Sequence, residues 1–438
     1  MIRRFPTFFS RRLLATCGIA ILAVVVPFLW FHLGPDPQQA AGAMTVANRT
    51  SASFEQPAGG LSAAELQRHA EADLLFDRTH VPRTGQPGAG LGPQFVAQSC
   101  IACHVRNGRG RAVPEEALVR VPIEAGFGPQ IQNKAVLGAN PEARVSIQWQ
   151  KVRKGDAGLR QPDVALIPRS GEPLAASLAR SLRNAPPLLG MGLLEAVPES
   201  VINALADPDD ADGNGISGRA HWLLGPDGQR RLGRFGWKAI SASVREQSAT
   251  AYREDMGLST PASATSDLDG AGMPADISNH ELTLVTFYSQ TLGAPRTARP
   301  ARSSVVRHGQ ELFKQLNCAG CHVPSLQTGA RPDAVAKVIG NQTIWPYTDL
   351  LLHDMGPGLD DGVAELGAAS REWRTAPLWG IGLTRKVNPQ ATFLHDGRAV
   401  GLEEAILWHG GEAEASRKAY AALPRGQRHA LLQWLSQL

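Results

Sequence analysis

The chain has 438 residues, 43% of them apolar and 19% charged, enough to bury the cores of two or three domains and too apolar for a disordered chain. Forty-four basic against 40 acidic residues give a net charge of +4, which excludes a polycationic nucleic-acid binder. Five cysteines are too few for a disulfide-stapled scaffold, while 45 glycines and 31 prolines favour short elements and many loops.

The chain opens on a targeting segment. Arg3, Arg4, Arg11 and Arg12 precede an apolar run from Leu13 to about Leu33, followed by the small residues Ala41, Gly42 and Ala43. A basic region before an apolar one is an export signal, and this run is also long enough to span a bilayer. Residues 1–43 are therefore read as a signal peptide or as an N-terminal inner-membrane anchor with its positive end in the cytoplasm. Cys17 lies within this run as an apolar residue. Residues 44–74 are rich in Ala, Ser and Gly and read as a linker.

A long unit follows over 75–295, with helices expected at 195–205, 239–252 and 281–292. The acidic stretch Asp207–Gly218 separates the first two. A Pro- and Arg-rich hinge then leads to a second unit, 303–438, with helices expected at 304–316, 401–408 and 425–438. The expected architecture is mainly α: two domains with extensive loops behind an N-terminal signal or anchor helix. Strand-like runs look scarce.

Each unit begins near one Cys-x-x-Cys-His motif: Cys100, Cys103 and His104 in the first, Cys318, Cys321 and His322 in the second. Two thiols one turn apart can each add to a haem vinyl group, and the following imidazole then stands beneath the iron. Random placement of this chain's cysteines and histidines would give roughly 0.002 such motifs. Zinc ribbons hold their pairs much closer together, a thioredoxin-like motif needs a βαβ setting, and simple disulfides need no histidine. The motifs thus predict two covalently bound haem c groups, and with them export to the periplasm.

Seven segments carry a family resemblance: Leu91–His104, Asp207–Arg219, Arg234–Ala239, Tyr347–Gly356, Arg374–Gly380, Phe393–Arg398 and Leu402–Glu412. In order and spacing, over roughly 75–438, the chain resembles the di-haem oxidoreductases related to bacterial di-haem cytochrome c peroxidases. The resemblance implies two all-α cytochrome c domains, a peroxide-reducing N-terminal haem and an electron-relaying C-terminal haem. It implies a further iron ligand after the His395-Asp396-Gly397 motif, where the peroxidases carry Met and this chain carries His409. Met355 is the rival. A His in place of Met makes that haem more reducing. The resemblance also places Trp237 between the haems and puts Asp255 at the family's catalytic Glu, with Gln247 on the same distal segment. A carboxylate there suits proton transfer within a bound peroxide. No distal histidine is evident; His221 is the nearest in sequence.

Asp210, Asp212 and Asn214, followed by Gly215, match the first positions of an EF-hand loop, but His221 stands where the closing Glu belongs. Calcium is a candidate ligand here, against a solvated acidic turn.

The functional expectation is an enzyme that reduces hydrogen peroxide with electrons from a small cytochrome or cupredoxin. Two alternatives stand beside it. One is a pure electron carrier with both irons fully ligated. The other is oxidation of a metal or protein partner, ferrous iron among them, since chains resembling this one accompany iron-uptake proteins.

Overall fold

In the computed structural model, residues 38–82, 90–154, 157–169, 171–225, 227–262, 275–298, 303–331 and 335–438 are described. The basic and apolar N-terminal run lies outside them. Among the described residues no helix is long and apolar enough to cross a membrane.

Local signals explain most helices. Helix α1 (Ala63–Asp77) starts at a capping box, in which Ser62 accepts from the Glu65 amide while Glu65 reaches back to the Ser62 amide. The Cys100–Cys103 turn forms α2. The helix expected at 195–205 is broken at Pro198 into Met191–Glu195 and Glu199–Asn203, because proline cannot supply the amide that a continuous helix needs. The helix expected at 239–252 begins instead at Val244, since Ala239 sits at φ +53° and Ser243 caps the first turn. This helix, α3 (Val244–Met256), consequently carries Asp255 on its last turn. A second capping box, Ser278 with Glu281, starts α4 (Asn279–Thr291). In the last third lie α5 (Ser304–Gln315), α6 (Leu402–Trp408) and α7 (Arg425–Leu435).

The mainly α expectation is corrected. Helices account for 33% of the described residues and strands for 17%, and the strands form seven two-stranded sheets among them. Abundant glycine and proline cut the chain into short extended pieces that pair two by two. The largest sheet is a hairpin whose register pairs Val145 with Leu166 and Ile147 with Val164. A smaller pair flanks it in sequence. In chain order these are β1 (Leu118–Arg120), β2 (Arg144–Lys154), β3 (Ala157–Ile167) and β4 (Ser181–Arg183), with β1 antiparallel to β4 and β2 to β3. Strands β5 (Leu352–Asp354) and β6 (Glu372–Arg374) pair in the last third.

Residues 44–74 hold more than their composition suggests. Thr45–Val46 pairs in parallel with Ala294–Pro295, and Ala40, Ala41, Met44 and Phe54 belong to the largest apolar cluster. The contacts of residues 38–438 form one continuous unit. Within it one cluster joins α1, α3 and α4 around the first cysteine motif, through Phe76, Tyr252 and Tyr288. Another joins α5 and α7 around the second, through Phe313, Leu431 and Trp434. The largest cluster, with Leu193, Phe235 and Trp379, lies beneath both.

Candidate functional site

The two motifs have matching local geometry. Each histidine closes its own turn: the His104 amide donates to Cys100 O at 2.9 Å and the His322 amide to Cys318 O at 3.0 Å. His104 Nδ1 lies 2.8 Å from Pro186 O, and His322 Nδ1 lies 3.0 Å from Tyr347 O. Such a bond fixes the proton on Nδ1 and leaves the Nε2 lone pair for a metal. Burial pushes both imidazoles down to about 4, so each is neutral at pH 7, as a ligand must be.

All four cysteines are free thiols. Burial pushes Cys100 and Cys103 up to about 12 and Cys318 to about 11. Thiols held protonated in this way are poorly suited to disulfide exchange.

Each motif opens on a cavity, of about 200 Å³ at Cys100–His104 and about 220 Å³ at Cys318–His322. The room is similar and the linings differ. The cavities share a wall that includes Arg109, Trp237, Arg374 and Trp379. Arg109 donates to the carbonyls of Thr392 (2.9 Å) and Leu394 (2.7 Å), and Arg374 to those of Gly236 (3.0 Å) and Thr375 (3.1 Å). Burial lowers both guanidinium groups to about 10. Two buried cations bonded to carbonyls are costly unless an anion joins them. The propionates of a haem in each cavity fit that need.

The residues expected at the distal site of the first motif, Asp255, Gln247 and Trp237, all line its cavity. Asp255 Oδ1 accepts from Gln130 Nε2 at 2.8 Å. Burial raises this carboxyl to about 6; neighbouring Glu254 adds to the rise, while the Gln130 bond and Arg120 oppose it. A carboxyl in that range can both hold and release a proton near neutral pH. Gln247 Oε1 and the Tyr252 hydroxyl are buried beside it with no hydrogen-bond partner among the described residues. Trp237 donates from Nε1 to Asn184 O at 2.8 Å, which fixes the indole in the shared wall.

His104 is the only histidine among the described residues lining this first cavity. His221 is elsewhere: its Nδ1 lies 2.9 Å from Lys238 O and its Nε2 lies 2.9 Å from Leu366 O, so both nitrogens serve the backbone.

The second cavity is lined by His322, His409, His353, His395 and Met355. His409 follows α6, with Nδ1 2.7 Å from Ala405 O. His395 stacks flat on Trp373, with ring centroids 3.6 Å apart; burial foremost, and the nearby cations Arg398, Arg183, Lys238 and Arg109, hold it neutral.

Sequence reasoning missed several participants. Gln130 bonds Asp255 from a loop, and Arg120 on β1 pairs with Glu254 at 2.7 Å. Arg109, five residues past His104, carried no signal beyond its charge. In the acidic loop, ligand atoms of Asp207, Asp210 and Asp212 lie within 4.8 Å of one another. Asn214 meets the cluster as a donor, its Nδ2 giving a 2.8 Å bond to Asp212 Oδ2, while its Oδ1 accepts from the Ile216 amide at 2.7 Å. Asp207 and Asp210 also accept from the amides of Ala211 and Gly215, bonds that by themselves close the loop.

No curated protein matches the chain. A xenon-pressurised structure of Kuenenia stuttgartiensis hydrazine synthase aligns over 88% of this chain and 94% of that one, at 14% identity and a TM-score of 0.35, too distant to bear on chemistry. The family model described as "Di-haem oxidoreductase, putative peroxidase" matches residues 36–146 and 174–438. With both attachment turns and both cavities inside the matched segments, the chain belongs to the di-haem oxidoreductase family.

Proposed function

We propose that the protein is a periplasmic c-type oxidoreductase that reduces hydrogen peroxide at its N-terminal motif, with electrons from a small cytochrome or cupredoxin entering through its C-terminal motif. One observation carries this reading: the two cavities are alike in size but opposite in lining. Among the described residues, the first is lined by Asp255, Gln247 and a single histidine, His104; the second is lined by His409 as well as His322. The export-type N-terminus supports the location.

Bound haem supplies iron that exchanges single electrons and, where a coordination position is open, accepts a peroxide oxygen. The chain's residues do the rest. His104 presents a neutral imidazole whose orientation Pro186 fixes. Asp255 moves a proton from the nearer to the farther peroxide oxygen, so that two electrons and two protons turn one peroxide into two waters. Gln130 keeps the carboxyl aimed, and Gln247 offers an amide to the same space. Trp237 fills the wall across which electrons must pass.

The test counts carbon monoxide bound per chain by fully reduced, haem-loaded protein, followed by peroxide turnover of Asp255→Asn. One equivalent, with turnover lost in the variant, is expected. No carbon monoxide binding would sink the enzyme reading and leave an electron-transfer cytochrome.

A further inference from the structure

The acidic loop belongs in sequence to the first half of the chain, yet its end sits on the second attachment turn. A Cβ on Gly320, between Cys318 and Cys321, would meet Ile216 Cδ1 at 2.6 Å, and a Cβ on Gly218 would meet His353 Cε1 at 2.5 Å. Reciprocal backbone bonds between Arg219 and Leu352, both 3.0 Å, pin the loop to β5.

Beneath this contact runs a chain of buried polar groups. His353 is 2% exposed. Its Nε2 lies 2.9 Å from Asp349 Oδ2 and its Nδ1 lies 2.7 Å from Glu412 Oε2. Glu412 also accepts from the Ser217 amide at 2.9 Å, the Ser217 hydroxyl at 3.1 Å and the Asp354 amide at 2.8 Å. His353 Nδ1 is 3.6 Å from Cys321 Sγ, the sulfur that would tether the second haem. Burial alone would strip this imidazole of its charge; its contacts with Asp349, with the Cys321 sulfur and with Glu412 overcome it and push the group up to about 12. No part of the peroxide chemistry uses this arrangement.

We propose that His353 is a positioning residue for the C-terminal haem: clamped between Asp349 and Glu412, it sets the electrostatics at the Cys321 sulfur and ties that sulfur to the acidic loop through Ser217. The inference rests on haem attachment at Cys321 and not on peroxide reduction. A charge a few ångströms from a haem edge, shielded from water, shifts the balance between its oxidised and reduced forms. The imidazolium disfavours the more positive, oxidised form. A carboxylate favours it. Removing one or the other must therefore move the potential in opposite directions, which loss of packing would not do.

The experiment is an optical redox titration of the full-length, haem-loaded protein, with haem counted per chain by its pyridine haemochrome. His353→Gln lowers the midpoint potential of the C-terminal haem and Glu412→Gln raises it. The milder Ser217→Ala removes one hydrogen bond from Glu412, leaves more negative charge on it, and gives a smaller fall. The N-terminal haem does not move. Two haems per chain with unmoved potentials, or with shifts of one sign for His353→Gln and Glu412→Gln, overturn the proposal. Fewer than two haems in the unaltered protein overturn the haem reading along with it.

Discussion

The first and second attachment turns are near copies, but their surroundings are not. Both histidines are buried, neutral and bonded at Nδ1 to a backbone carbonyl. Around the first stand a carboxyl poised near pH 6 and unpartnered polar atoms. Around the second stand further histidines, a stacked indole and a buried imidazolium. One turn is thus reused with its geometry intact while the residues lining the cavity beside it differ.

The largest effect should come from erasing what the two turns share. His104→Gly leaves the first haem without its protein ligand, and peroxide turnover falls to background while the second haem keeps its spectrum. Next comes Asp255→Asn, which breaks the difference from the first side. Turnover drops by about 10²- to 10⁴-fold, the range for losing a positioned acid–base group, with carbon monoxide binding unchanged. Its pH profile adds a signed check. With the carboxyl raised to about 6, the base form exists above that pH, so turnover rises through about pH 6 in the native protein and is flat in the variant. Stability runs the opposite way: a raised acid favours the folded state below its unfolded pKa, and that contribution is lost as pH rises through about 6.

His409→Ala attacks the difference from the second side. It should convert one carbon monoxide equivalent per chain into two, as the cavities become alike. A count that stays at one would assign the ligand to another side chain, with Met355 next to be replaced. The smallest effect on turnover belongs to Leu159→Ala. Leu159 is buried against Trp373 and Phe393 at the far end of the hairpin, so stability falls by about 2–5 kcal/mol, read by thermal unfolding, while haem content and carbon monoxide binding persist.

The attachment residues were legible because a covalent group demands a fixed spacing. Asp255, Gln247 and Trp237 were legible only through resemblance, since nothing in their spacing says that they share a cavity. The hairpin was legible and overlooked: Val145, Ile147 and Trp149 alternate with Ser146, Gln148 and Gln150. Gln130, Arg109 and the Asp349–His353–Glu412 clamp could not be read at all. Each depends on contacts between residues far apart in sequence, as between His353 and Glu412, and such contacts leave no local periodicity.

The parallel pairing of Thr45–Val46 with Ala294–Pro295 bears on the order of assembly. The first cavity is sealed partly by strands and carbonyls that lie much later in the chain, among them Thr392 and Leu394, which hold Arg109. As the chain is made, Cys100 and Cys103 therefore appear long before their walls can close. During that interval the two thiols stand open to solvent, and long-range closure, slow by its nature, is the step that buries them.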